Sequence, residues 1–322
     1  MTDEAYRLVT RSDFDGLVCA VLLRALGMIE EIEFVHPKDV QDGKIPITDR
    51  DILTNLPYAA AAHMVFDHHH SETLRNAGGA PNHVIDADAK SAARVVYDYF
   101  GGAERFPAIS DELMLAVDQA DSADYSLEDI LRPQGWTLLN YLMDSRTGLG
   151  RFREFRISNY QLMMKLIDLV LLRHASVEEI LNDPDVAERV QLYTEQSVLF
   201  TEQLHRVSTV HGRLVEVDLR REEVVHAGNR FMIYALFPQC QVSAHMIWGR
   251  GKQNTVLACG KSILDRTNPV DLGALMLRHG GGGHHNAGTC QVAHDDADDV
   301  LHEIAEAVNA AARSVEPALA TS

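Results

Sequence analysis

The stretch YRLVTRSDFDGLVCAVLLRAL, residues 6–26, decides the fold. Tyr6 to Thr10 reads as a short buried strand, RSDFDG as a polar turn, and Leu17 to Leu26 as an apolar helix. Short apolar segments recur outward from it. Ile32 to Val35, Asp51 to Leu53, His63 to Phe66 and Asn82 to Ile85 read as further strands, and Ser91 to Phe100 as a helix. Strands that alternate with helices imply an α/β fold: a parallel sheet with helices on both faces. Ligands of such sheets sit beyond the carboxyl ends of the strands. Two polar motifs fall at such ends, RSDFDG after the first strand and DHHH after the strand that stops at Phe66.

The chain has 322 residues, enough for about two domains. It carries 29 Lys and Arg against 47 Asp and Glu, a formal charge of −18. Coating duplex DNA needs clustered cations, so this balance argues against that role and suits divalent-cation binding. Cys19, Cys240, Cys259 and Cys290 form no CxxC pair, so neither a disulfide framework nor a thiolate zinc site is expected. MTDEAYR lacks a signal peptide's apolar run. Leu162 to Leu172 is too short and too charged for a membrane span. These features give the expectation of a cytoplasmic protein with no membrane association.

Residues 1–150 are expected to form the first domain and 151–210 a helical connector. Residues 211–314 form a smaller α/β domain, and 315–322 a disordered tail. In the smaller domain Leu214 to Leu219, Phe231 to Leu236, Val242 to Trp248, Thr255 to Cys259 and Thr289 to Val292 read as strands. Val270 to Leu277 and Ala297 to Ala312 read as helices, with GGGG as a loop between the first helix and the last strand.

Asp13 and Asp15 are one residue apart in a turn. Two carboxylates aimed into one pocket raise each other's pKa unless a cation neutralises them. The simpler role is to cap the helix that follows. Asp67-His68-His69-His70 tips the balance, because a carboxylate with imidazoles suits a divalent transition metal. Asp118 and Asp121 follow an apolar stretch, and either could reach the same pocket. Four glycines before His284 and His285 offer backbone amides to phosphate oxygens, or form a hinge. Ser91 could cap a helix in AKSAAR, with Arg94 on its surface, or Lys90, Ser91 and Arg94 could hold phosphate. Trp136 and Trp248 read as core residues.

In this order, RSDFDG at 11–16, DHH at 67–69, AVDQAD at 116–121 and GGGHHNAG at 281–288 resemble the DHH phosphoesterase family with its DHH-associated C-terminal domain. The resemblance spans nearly the whole chain. That family includes RecJ-like exonucleases, nano-RNases with pAp phosphatase activity, cyclic-dinucleotide phosphodiesterases and exopolyphosphatase-related proteins. The resemblance implies a two-metal site, usually manganese, that activates water for attack on phosphorus. By motif position it makes Asp13, Asp15 and His68 metal ligands and sets His69 against the substrate phosphate. Asp121, or else Asp118, is the late carboxylate. Gly281, Gly282, Gly283 and His284, with His285, bind the substrate's phosphate or terminal nucleotide. Ser262 and Arg266 in GKSILDR match a substrate-binding pair only loosely, since their spacing differs.

Two departures stand out. Val9 and Arg11 occupy the places where the family has a histidine, and His36 on a neighbouring strand is the candidate substitute. Asn55 in DILTNLPY stands where the family has a metal-bridging aspartate. One metal is therefore expected to bind tightly and a second weakly or only with substrate. Manganese is the expected ion, with magnesium or cobalt as alternatives. Arg11 would set a fixed positive charge at the second metal's place and touch the scissile phosphate. The expected function is a metal-dependent phosphoesterase acting on a short oligonucleotide, dinucleotide or pAp-like nucleotide. An exopolyphosphatase-like enzyme and a non-catalytic nucleotide sensor are the alternatives. The apolar spacing of Leu162 to Leu172 admits a homodimer.

Overall fold

The computed structural model describes residues 5–75 and 79–315. Of the tail expected at 315–322, Val315 ends a helix and the rest lies outside the described residues. The chain divides into two compact units, Met1–Asp124 with Pro133–Tyr193, and Tyr125–Arg132 with Thr194–Ser322. The helical stretch expected as a connector is thus shared between the two.

In the first unit, β1 (Tyr6–Thr10), β2 (Ile29–Phe34), β3 (Asp51–Thr54), β4 (Met64–Asp67) and β5 (His83–Ile85) form a parallel sheet in the order β2-β1-β3-β4-β5. Chain order reverses between β1 and β3, and the crevice beyond such a switch point is where sheets of this kind take ligands. Val9, Leu53 and Val65 stand level across three strands and bury one face against Leu56 and Ala62, with Val40, Ile45 and Ile47 alongside. That face is covered by a short helix at Pro37–Gln41 and irregular chain rather than by long helices.

The other long elements are α1 (Phe14–Ala25), α2 (Ala92–Tyr99), α3 (Asp111–Ser122), α4 (Gly135–Met143) and α5 (Asn159–Leu171). Every residue from Phe14 to Leu23 of α1 is buried, and α2, α3 and α5 pack around it. Its tight entry explains a glycine: a Cβ at Gly16 would stand 2.1 Å from the Arg11 carbonyl oxygen. On α5, Leu162, Met163, Leu166, Ile167, Leu169 and Val170 are buried within this unit. The apolar spacing that admitted a dimer surface is therefore core. Trp136 is core too, stacked on Phe14 at 5.8 Å.

A 24-residue helix, α6 (Pro184–Val207), leads into the second unit. There β6 (Ser208–His211), β7 (Leu214–Asp218), β8 (Val242–Trp248), β9 (Thr255–Lys261), β10 (Gly282–His284) and β11 (Ala287–Val292) form a mixed sheet ordered β10-β11-β9-β8-β7-β6. Only the β7–β8 pair is parallel. One sheet face, with Val242, Ala244, Met246 and Leu257, packs on α8 (Leu272–Arg278) and α9 (Ala297–Val315).

Two expectations fail here. Phe231 to Leu236 is not a strand: Met232–Leu236 is a short helix, α7, whose Tyr234 hydroxyl donates to the Gly260 carbonyl oxygen at 2.8 Å. An unbroken apolar run has no period that tells helix from strand, and packing decides it. Second, Gly282 and Gly283 are not in a loop but in edge strand β10. The glycines make close packing achievable. A Cβ at Gly281 would lie 2.0 Å from the Thr289 carbonyl oxygen, and one at Gly273 on α8 would lie 2.7 Å from Gly283. No described helix is long and apolar enough to cross a membrane.

Candidate metal centre

Five polar side chains gather at the carboxyl ends of β1, β3 and β4. After β1, Asp13 caps α1: its Oδ1 accepts the Gly16 amide at 3.0 Å, and its Oδ2 takes the Arg11 Nε at 3.0 Å. Asp15, the second residue of α1, is 2% exposed. Its two oxygens accept the amides of Ala92 (3.1 Å) and Ala93 (2.8 Å) at the start of α2, where the helix dipole favours an anion. After β4, His68 lies with Nδ1 3.3 Å from the Ala89 carbonyl oxygen. That contact places the proton on Nδ1 and turns Nε2 inward as a ligand atom. From α3, Asp121 Oδ2 comes within 2.9 Å of His68 Nε2. The pair lacks the alignment of a hydrogen bond, so His68 Nε2 remains buried and unsatisfied.

Asp15, His68 and Asp121 therefore each present one atom to a common point, all within 4.8 Å of one another. Electrostatics agree. Burial, then the charges of Asp121 and Asp13, hold the Asp15 carboxyl well above its usual range. Burial also raises Asp13, against the pull of Arg11. Burial would lower His68, but Asp121, Asp15 and Asp67 outweigh it and raise it. Asp121 moves down because His68 outweighs its burial. Carboxylates that repel one another around an imidazole held in ligand orientation fit a divalent cation.

Two further buried groups lack partners. Asp67, fully buried, accepts His69 Nδ1 on Oδ1 at 2.7 Å, while Oδ2 is unsatisfied. Asn55 follows β3 with φ +55° and 1% exposure, and neither amide atom has a hydrogen bond. Unpaired buried polar atoms are costly, and here they cluster beside the metal-capable group.

The remaining sequence candidates fall in different places. Asp118 is three residues from Asp121 but lies outside the metal-capable groups. Its Oδ1 takes the Ser91 hydroxyl at 2.8 Å, and its Oδ2 takes Arg94 Nε and Nη2 at 3.0 and 2.7 Å. Both oxygens are spent on holding α2 to α3. Ser91 caps α2 and Arg94 pairs with Asp118, the structural role that the sequence offered for them. His36 caps the short helix at Pro37–Gln41, its Nδ1 accepting the Lys38 amide at 3.2 Å, and it is in neither metal-capable group. His69 is 44% exposed at the side chain, its ring set by Asp67.

In the second unit, Gly281 and Gly283 answer to packing, while His284 is exposed at the end of β10. His285 is engaged: its Nε2 accepts Lys261 Nζ at 2.8 Å, and Asp271 lies 3.6 Å from Nδ1. Ser262 is buried and accepts the amides of Leu264 and Asp265, which makes it a turn residue. Arg266 is exposed on the loop after β9, its Nε donating to the Ile263 carbonyl oxygen at 3.3 Å.

The chain is similar to proteins of known structure. The pGpG-specific phosphodiesterase PggH from Vibrio cholerae is 57% identical to it, covering 95% of this chain and 99% of that one, with a TM-score of 0.84. The chain belongs to the DHH phosphoesterase family. An exopolyphosphatase-related protein from Bacteroides fragilis, at 13% identity and a TM-score of 0.52, covers 94% of this chain and 92% of its own and shares the fold. No model of a known family and no curated protein matches the chain. The resemblance carried by the four motifs and the α/β fold are thus borne out, and the chain is an enzyme of the phosphoesterase class.

One charged residue that sequence reading passed over bears on the electrostatics of the centre. Arg146, in a 3-10 turn at Ser145–Thr147 after α4, is held on Asp144 within reach of the charges of Asp13 and Asp121. No motif marks it.

Proposed function

We propose that the protein hydrolyses the internal phosphodiester of a short linear dinucleotide, pGpG foremost, to mononucleotides. One observation carries this reading. The Asp15–His68–Asp121 group lies in a chain that is 57% identical, almost end to end, to a pGpG-specific phosphodiesterase.

Asp15, His68 and Asp121 would hold one divalent cation, manganese by preference for mixed carboxylate and imidazole donors. When bound, the ion supplies positive charge to the phosphoryl oxygens and makes water more acidic. The surrounding residues do the rest. The Asp67 carboxylate fixes the His69 ring and leaves Nε2 open to the substrate; as an imidazolium the ring would donate from Nε2 to a phosphoryl oxygen or the leaving oxygen. Arg11, anchored through Nε on Asp13, offers its terminal nitrogens to the scissile phosphate. A second ion would bind weakly, because the Arg11 guanidinium offsets the charge of Asp13 and Asn55 brings none. In the second unit, Gly282, Gly283, His284 and Arg266 are the candidates for a further phosphate or nucleotide contact.

The test is mononucleotide or phosphate release from pGpG, pAp, cyclic dinucleotides, short RNAs and polyphosphate, with manganese, magnesium or EDTA. Metal-dependent turnover of pGpG above the others is expected. Binding of pGpG without turnover in saturating manganese would make the protein a nucleotide sensor instead. Preferred release from polyphosphate would move it to the exopolyphosphatase-like reading.

A further inference from the structure

We propose that Asp67, His68 and His69 form a second cation site, one that takes zinc and thereby inhibits the enzyme. The site stands on the geometry of these three residues, and its effect on turnover rests on the reading of the protein as a phosphodiesterase.

The site is made where β4 ends. Asp67 is the last residue of the strand, and the short helix that begins at His70 turns the chain back, the Glu72 amide donating to the His69 carbonyl oxygen at 2.9 Å. Consecutive side chains are thereby gathered instead of being sent to alternate faces. The ring centroids of His68 and His69 lie 4.6 Å apart, and Asp67 Oδ1 lies 2.7 Å from His69 Nδ1. One ligand atom from each residue falls within 4.8 Å of the other two. The group is closed at one end and open at the other. Asp67 is fully buried and its Oδ2 has no hydrogen-bond partner, while the 44% exposed His69 side chain leaves a way in from solvent. A buried carboxylate with an unmet oxygen beside imidazoles is costly, and a cation relieves it.

The donor set selects the ion. The Asp15–His68–Asp121 group has carboxylates in the majority, whereas here imidazoles are. Imidazole donors favour zinc over manganese, and a zinc shell is complete with such a trio and a water. Neighbouring ligand atoms of a tetrahedral zinc stand about 3.3 Å apart. The Asp67–His69 pair reaches that spacing by a small outward shift of the half-exposed His69 ring. The ring takes the neutral tautomer with its proton on Nε2, which frees the Nδ1 lone pair. Inhibition follows from His68. Its Nδ1 is turned to the Ala89 carbonyl oxygen, so Nε2 is the atom it offers to either group. One lone pair serves one ion, and zinc in the second group withdraws a ligand from the first.

Variants separate the two groups. Zinc is titrated by calorimetry into metal-free protein carrying Asp121→Asn, which disables the first group, and into the same protein with Asp67→Asn or His69→Gln added. The single variant is expected to bind one zinc, and either second change to weaken it by about tenfold or more. Asp67→Asn alone should keep the manganese affinity of the wild type, which shows that the variant is folded. Zinc added to the manganese-loaded wild type should lower GMP release from pGpG about tenfold or more, and added manganese should restore it. Asp67→Asn should need about tenfold more zinc for the same fractional loss. No zinc bound by Asp121→Asn, or equal affinity with and without the second change, would overturn the proposal. So would equal sensitivity of the wild type and Asp67→Asn to zinc. A wild type that releases no GMP overturns the reading of function instead, and the calorimetry then decides the site.

Discussion

Asp118 and Asp121 stand three residues apart on α3 and do different work. Asp118 is spent on Ser91 and Arg94, while Asp121 faces His68. Asp121→Asn should weaken manganese binding at least tenfold, read by calorimetry, with little change in stability. Asp118→Asn should leave that affinity in place and cost about 2 kcal/mol in urea unfolding. The reverse pattern would mean that the wrong carboxylate has been assigned. Sequence could not separate them, because the deciding partner, Arg94, lies 24 residues away. The Asp13–Asp15 pair and His68 were legible, since turn and strand end put them at the sheet's carboxyl edge. Asn55 was legible as a departure, but its unsatisfied amide was not. Asp tolerates the left-handed backbone about as well as Asn. Asn55→Asp should therefore fold, and it should raise the affinity for a second manganese ion, counted by titration. An unchanged count would show that position 55 does not face the ions.

At the scale of elements, the sequence misled where packing overrode local preference. Glycine disfavours strands, so Gly280 to Gly283 read as a loop. The close approach of β10, β11 and α8 is what requires glycine there. Gly281→Ala should lower the stability of the second unit by about 2 kcal/mol or more, since its Cβ would meet backbone. Gly282→Ala meets nothing within 4 Å and should stay within about 0.5 kcal/mol. Thermal melts of the two variants check this, and equal melts would refute the packing account. The strands β1, β3 and β4 were readable because each is a short apolar segment ended by a polar turn. The helix at Met232–Leu236 was not, since its run carries no period.

For the whole molecule, a half-buried histidine predicts how stability responds to acid. His245 on β8, between Val217 and Ala258, is pushed down to about 4 by burial. A depressed histidine contributes stability that is complete above its unfolded pKa of 6.5 and is lost as pH falls toward 4. The loss is at most about 3 kcal/mol. His245→Leu should flatten the urea midpoint between pH 6.5 and 4, and an unchanged slope would place the acid sensitivity elsewhere. The central claim is that one cation centre made by Asp15, His68 and Asp121 cleaves a linear dinucleotide. Its most direct test is GMP release from pGpG in manganese by the wild type, Asp15→Ala and His68→Ala. Turnover by the wild type that EDTA stops, and that falls at least a thousandfold in both variants, is the expected result. Turnover that survives either substitution, or that ignores EDTA, would contradict it.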